Sequence, residues 1–358
     1  KMQPPMYKSM PIQEAVKSIK QCVDENNVVQ LAKIMAQFNF QQRHDLASMY
    51  QSLKGQNLIV ALQQMQTLES DLIALLFENR YDYWARAIDS LLGQLQQKLE
   101  LKFLPLPEQK PTLLQEKPSP PALQPSASTQ LMTPAQIPIQ VPTKPPQPCM
   151  DNLLNLIILM NDKEKLKVYT HYQKLFKQNI LDQLQTAKIP DSQAQNLFIF
   201  MFSQLKSPNN QNFEADAIVD KIAKSRDTAE KDKIFSLIMT SIKAETYQQV
   251  SDLFEQKYKV ILRDFIKQIF QDKMMYCVVL QHDCLIAQCH GVATTIRNAV
   301  NRKDKEALIQ ITVLWSDFYR GTPIIEAFKK FGDIKEAIKP LLDSNNLCQV
   351  IFALWGLI

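Results

Sequence analysis

Residues 50–62 read Tyr50-Gln51-Ser52-Leu53-Lys54-Gly55-Gln56-Asn57-Leu58-Ile59-Val60-Ala61-Leu62, and residues 172–184 read Tyr172-Gln173-Lys174-Leu175-Phe176-Lys177-Gln178-Asn179-Ile180-Leu181-Asp182-Gln183-Leu184. The two stretches agree, identically or conservatively, at most positions. A weaker copy runs from Phe254 to Ile266, and a fourth from Phe328 to Ile338. In each, an aromatic residue near the end of a helix precedes a short turn and a short amphipathic helix; a strongly apolar helix follows. Self-similarity at a fixed spacing is the mark of a repeat architecture, in which no single unit buries its own apolar face.

The copies begin at 50, 172, 254 and 328, so they lie 122, 82 and 74 residues apart. The first gap is long because of one segment. Between Leu104 and Cys149 lie 13 of the chain's 20 prolines. Proline has no amide proton and a fixed φ, so this stretch is neither helix nor central strand but an extended, polyproline-like insertion. Without its roughly 45 residues the basic period is about 75 to 80. Outside it the apolar residues keep helical spacing, as at Ala15, Val16, Ile19 and Val23, or at Leu46, Met49, Tyr50 and Leu53. Leu72, Ile73, Leu75 and Leu76 are apolar on most sides, as in a central helix. Asp24 is placed to cap the second helix, Asp191 or Ser192 a later one, and Gly55 and Gly332 to end helices in left-handed residues.

Composition narrows the function. Only 6 glycines occur, against Gly-rich phosphate loops and turn-dense β-structure. The net charge of +5 favours anionic surfaces without a concentrated basic face, so nucleic acid is not an expected partner. The six cysteines are irregularly spaced, as expected of reduced, buried thiols in a cytoplasmic protein. No secretory signal is visible, and no run of about 18 apolar residues is present to span a bilayer. The chain has no nucleophile elbow, P-loop, HExxH motif or paired carboxylates, so no enzymatic activity is expected.

A four-fold repeat of this length with five short helices each resembles the annexin family. In the first repeat, Arg43-His44-Asp45-Leu46, Tyr50 and Leu53-Lys54-Gly55-Gln56-Asn57-Leu58 are similar to the family's third helix and the turn after it. Leu72-Ile73-Ala74-Leu75-Leu76 followed by Tyr81-Asp82 resembles the fifth helix and the start of the next repeat. Phe328-Lys329-Lys330-Phe331-Gly332 resembles the pattern Phe-Lys-x-x-Tyr-Gly, and Val350 to Gly356 the family's C-terminal end. The resemblance covers nearly the whole chain outside the insertion. It implies an all-α fold of four annexin-like repeats of about five short helices each, forming a curved disc. The units are an N-terminal tail at 1–10 and repeats at 11–80, 81–212 (with the Pro-rich insertion at about 105–148), 213–284 and 285–358.

The resemblance also implies calcium sites between the first and second helices of each repeat, where a Gly-rich loop turns several carbonyls toward the ion and a distant carboxylate completes the shell. None of the four keeps those glycines. The first loop, Val23-Asp24-Glu25-Asn26, is too short. In the second repeat, the helix from Tyr81 reaches Gly93 and runs into the insertion. The third retains Asp227, Thr228 and Glu230, with Asp272 near the place of the distal acid. These are the candidate calcium ligands, and they read equally as a helix cap with first-turn acids. In the fourth, Arg302, Lys303 and Lys305 stand where acids are expected; they are candidates for contact with an anionic bilayer, each worth about 1 kcal/mol there. Calcium is therefore expected to bind weakly or not at all.

His282, Cys284, Cys289 and His290 are close in sequence but lack zinc-site spacing, and read as buried groups at a helix junction. Met201, Met239, Met274 and Met275 read as core filler, as do Trp315 and Trp355, while Tyr83 and Trp84 pack between repeats. Pro118-Ser119-Pro120-Pro121 and Pro142-Thr143-Lys144-Pro145 have the loose form that docks in aromatic-lined grooves, which would make a Pro-binding protein a partner. The expectation is a peripheral membrane or cytoskeleton-associated scaffold, its partner an anionic phospholipid surface or a microtubule or axonemal protein. The alternative is a flagellar or microtubule-associated structural protein, as in the alpha-giardin branch of the family, with no lipid or calcium binding.

Overall fold

The computed structural model describes residues 10–103, 148–187, 192–203, 214–225 and 228–358. The repeated stretch explains how they fold. Tyr50, Tyr172, Phe254 and Phe328 are all buried near the ends of helices. Five residues after the first three come Gly55, Lys177 and Lys259, each in the left-handed conformation, with φ of 69°, 55° and 57°. Their amides close single turns onto Gln51, Gln173 and Glu255. The fourth copy stops one residue sooner at Gly332, whose φ is positive but whose conformation is extended rather than left-handed helical. Each next helix then seats two residues one turn apart in the core: Leu58 and Leu62, Ile180 and Leu184, Leu262 and Ile266, Ile334 and Ile338. Burying each such side chain contributes about 1.5–3 kcal/mol.

Twenty α-helices follow among the described residues, in four sets of five. The first set is α1 (Ile12–Asp24), α2 (Val28–Met35), α3 (Phe40–Lys54), α4 (Leu58–Gln64) and α5 (Leu68–Leu75). The second is α6 (Arg80–Phe103), α7 (Pro148–Ile158), α8 (Asp162–Phe176), α9 (Ile180–Thr186) and α10 (Ser192–Ser203). The third is α11 (Ala215–Lys224), α12 (Thr228–Ser236), α13 (Ala244–Tyr258), α14 (Leu262–Ile269) and α15 (Asp272–Ile286); α12 ends in a π turn at Leu237–Ser241. The fourth is α16 (Gln288–Asn301), α17 (Lys305–Tyr319), α18 (Thr322–Phe328), α19 (Ile334–Ile338) and α20 (Asn345–Leu354).

The caps follow the repeat as well. Asn39 and Asn161 close capping boxes with Gln42 and Glu164 on the third helices of the first two sets. Asn57, Asn179 and Asp333 cap the fourth helices of the first, second and fourth sets. Two local expectations are corrected and one is extended. Asp24 does not cap the second helix: it is the last residue of α1, and Asn27 accepts from the amide of Gln30 instead. The first helix of the second set continues past Gly93 to Phe103, because one glycine costs a helix only about 1 kcal/mol. The boundary expected between 284 and 285 falls inside α15, which runs to Ile286; neither Gly nor Pro marks the reversal at Ala287. The expected cap at Asp191 and the Pro-rich insertion lie outside the described residues, while Ser192 opens α10.

One continuous apolar core links the sets. The first and fourth are joined where α2 and α5 pack on α20 and α5 on α17; the second and third meet where α7 packs on α15. Helix α17 also touches α6, which brings the second set against the fourth. There Trp84, fully buried, meets Trp315 edge to face at 5.4 Å and donates from Nε1 to the carbonyl of Leu156 at 3.1 Å. Trp355 is buried and donates to Thr312 Oγ1 at 3.0 Å. Met201 and Met239 are buried in the core, and Met274 and Met275 pack against it.

Candidate functional site: the junctions between first and second helices

Two of the four junctions are fully described, and they are built alike. After α1, the amide of Asn26 bonds to the carbonyl of Val23 at 3.2 Å and that of Asn27 to Cys22 at 2.8 Å. After α16, Lys303 bonds to Val300 at 3.1 Å and Asp304 to Ala299 at 2.9 Å. This paired wiring is a Schellman motif, and its left-handed residues are Asn26 and Lys303, with φ of 56° and 54°. The next residue is at once the cap of the following helix: Asn27 accepts from Gln30, and Asp304 from Ala307 at 2.9 Å. Three residues thus close each junction. A hard cation needs six to eight oxygens converging on one point. Here carbonyls in the last turns of α1 and α16 accept helix-closing bonds, Glu25 accepts from Gln21, and Asp304 holds amide donors. These two junctions do not fit calcium.

The third junction is only partly described. Asp227 lies outside the described residues. Thr228 opens α12, Glu230 is exposed in its first turn, and Asp272 opens α15 with a positive φ of 48°. Among the described residues, no three His, Cys, Asp or Glu side chains gather as a metal-holding group. Glu230 and Asp272 are exposed and belong to different helices.

The basic trio separates. Arg302 turns inward: its Nη1 donates to Asp151 at 3.0 Å and its Nη2 to Asn152 at 2.7 Å, and Asp304 lies 3.6 Å away. Asn152 also donates to Asp304 at 3.1 Å. Arg302 therefore clasps the fourth junction to the start of α7, and its charge is spent inside the protein rather than offered to a surface. Lys305 bonds to Asp343 at 3.0 Å. Lys303 is exposed.

At the junction of α15 and α16, His282 and Cys289 are buried, and Cys284 and His290 partly so. His282 hydrogen-bonds to the Tyr247 hydroxyl at 2.9 Å through Nδ1, and burial pushes its pKa down to about 4. Burial raises both thiols, which makes them poor nucleophiles. Cys22, Cys277 and Cys348 are buried cysteines outside any disulfide. The neighbour that organises this region is Asp283, 2% exposed. It accepts from Arg263 Nε and Nη2 at 2.9 Å each, from Lys330 Nζ at 3.0 Å and from Thr294 Oγ1 at 2.5 Å. Burial alone would raise its pKa, but these donors outweigh it and hold the carboxyl below the usual range.

Two further buried arginines had no sequence signal, since their partners are remote. Arg43 donates to the Phe38 carbonyl at 3.1 Å and grips Asp317 of α17 through both terminal nitrogens. Arg80 donates to Glu164 at 3.0 Å, and its guanidinium lies 5.0, 4.1 and 4.2 Å from the ring centres of Trp84, Trp315 and Phe318. Such stacking contributes about 0.5–2 kcal/mol per ring when desolvated.

No protein-family profile matches this chain, and no curated protein matches it in sequence. Its likeness is to solved structures. Calcium-bound alpha-1 giardin is 14% identical with a TM-score of 0.71, over 98% of this chain and 100% of that one. Calcium-bound alpha-14 giardin is 14% identical with a TM-score of 0.68, over 96% and 99%. Chicken annexin V in complex with zinc is 12% identical with a TM-score of 0.62, over 98% and 97%. The chain has the annexin fold, in the divergent range that also holds the alpha-giardins. At this identity the likeness defines the fold and nothing of the chemistry.

Proposed function

We propose that this chain is a non-enzymatic scaffold of four annexin-like repeats that attaches to a membrane surface or a cytoskeletal assembly without a calcium bridge. The repeats are taken as 11–80, 81–212, 213–286 and 287–358. The observation that carries the reading is the closure of the first and fourth junctions into three-residue turns with their acid and amide groups used as helix caps. Alpha-1 and alpha-14 giardin were solved with calcium. In this chain Asp227, Thr228, Glu230 and Asp272 at the third junction are the candidate ligands for such an ion. The inward turn of Arg302 and the tie of Lys305 to Asp343 leave Lys303 as the exposed member of the trio, which favours a protein partner over a bilayer. A calcium response carried by the third junction disappears in D227N/D272N.

Co-sedimentation tests this reading. The full chain is spun with anionic vesicles, with and without calcium, and separately with microtubules or axonemes. The expected result is pelleting that calcium does not change. Vesicle binding that requires calcium would overturn the reading, whether or not D227N/D272N abolishes it.

A further inference from the structure

The repeats supply an internal control for surface charge. On α8, Lys163, Lys167, Thr170 and Lys174, with Lys177 at its left-handed end, are all exposed. At 100° per residue they fall within an arc of about 80°, and at 1.5 Å per residue they span about 21 Å. The equivalent row on α3 is Gln41, Asp45, Ser48, Ser52 and Gly55, and on α13 it is Glu245, Gln249, Asp252, Gln256 and Lys259; every one is exposed. The first row carries four positive charges, and each of the other two carries one net negative charge. The fold therefore does not require lysine at these positions.

Helix physics does not account for the row either. Cations near a helix C-terminus are favourable, which suits Lys174 and Lys177. Lys163 and Lys167 sit in the first half of α8, where the dipole disfavours them, and they repel each other at i, i+4. The nearest acids on α8 are engaged elsewhere: Asp162 pairs with Lys165, and Glu164 is buried against Arg80. Lys167 rests on Tyr81, with Nζ 4.9 Å from the ring centre and 3.3 Å from the hydroxyl, to which it donates. Beside the row, Leu166 is 53% exposed.

We propose that this face of α8 docks an acidic polypeptide segment. The stripe is one residue wide and confined to one helix, so it fits a linear polyanion. A bilayer broad enough to reach the third helices of the other sets would meet rows of net negative charge. Acidic side chains at alternate positions of an extended chain recur about every 6.7 Å. That matches the roughly 6 Å rise between Lys163 and Lys167; the rise from Lys167 to Lys174 is about 10.5 Å, with Thr170 between them. Leu166 gives such a segment an apolar contact. None of these residues is among the candidate calcium ligands, so the outcome of the calcium experiment leaves the surface untouched.

The test is fluorescence anisotropy of the full chain with a labelled peptide of alternating Glu and Ser. Two variants of equal net charge are compared: K163Q/K167Q/K174Q/K177Q, and K17Q/K20Q/K33Q/K339Q, whose lysines are exposed on other helices. All eight positions are at the surface, and circular dichroism checks that both variants fold. The stripe variant should bind about tenfold or more weakly, as loss of four exposed ion pairs predicts. The second variant should bind within about twofold of the parent. Equal losses in the two would reduce the effect to overall charge and overturn the proposal. So would stripe-dependent binding to phosphatidylserine vesicles, or to a single-stranded oligonucleotide, with none to the peptide.

Discussion

Gly55 and Lys259 occupy the same place in the repeat, and only one of them is suited to it. A left-handed backbone costs a residue with a β-carbon roughly 1–2 kcal/mol. Gly55→Ala should therefore lower the free energy of unfolding by about 1 kcal/mol, and Lys259→Gly should raise it by about 0.5 kcal/mol, both read from urea midpoints at constant m-value. His282 sets a second local dependence. Its pKa falls from 6.5 to about 4 on folding, because burial disfavours the imidazolium. Between those values the unfolded chain binds a proton that the folded chain does not, so stability is full above pH 6.5 and drains as pH drops toward 4. The loss is about 3 kcal/mol. His282→Gln keeps a polar group for Tyr247 but has nothing to titrate, so the fall in melting temperature between pH 6.5 and 4 should flatten in that variant.

Between elements, the tightest approach is at Gly291 of α16. A β-carbon there would lie 2.3 Å from Cys284 Sγ on α15, far inside contact distance. Gly291→Ala should cost about 1–3 kcal/mol by overpacking. Adding Cys284→Ala should recover most of the loss, because the sulfur is the atom in the way. If the double variant is no more stable than the single one, backbone crowding, including the Cys284 amide at 3.4 Å, sets the separation of the two helices instead. The junctions between first and second helices work on the same scale. At the first and fourth of them, a Schellman end followed at once by an Asn or Asp cap reverses the chain in three residues.

Across the whole molecule, the Arg43–Asp317 pair ties α3 to α17 over 274 residues of sequence. Arg43 is 2% exposed, so removing its partner strands a charge in the interior. Asp317→Ala should destabilise the protein by about 3 kcal/mol in urea unfolding, whereas R43M/D317L should return close to the parent, since apolar pairs of similar volume replace buried ion pairs at little cost. A double-mutant cycle separates the stranded charge from the worth of the pair. Arg80, with its ion pair to Glu164 and its stack of rings, holds the second set against the fourth in the same way.

The sequence by itself determined the helical period, the four-fold repetition and the left-handed stop at Gly55, because each depends on residues within a few positions of one another; the Asn caps and the left-handed Lys177 and Lys259 emerge only in the structure. The sequence also carried the lysine row of α8, legible once three copies are aligned in register. Only the tertiary structure decided which way charges point. Arg302, Lys303 and Lys305 are adjacent in sequence and alike in chemistry. One is clasped to α7, one is tied to Asp343 and one faces solvent, because Asp151 and Asn152 of α7 and Asp343 of the loop before α20 reach them from elsewhere in the chain. Ion pairs to residues tens to hundreds of positions away leave no mark on local pattern, and they fix which of these charges remains available to a partner.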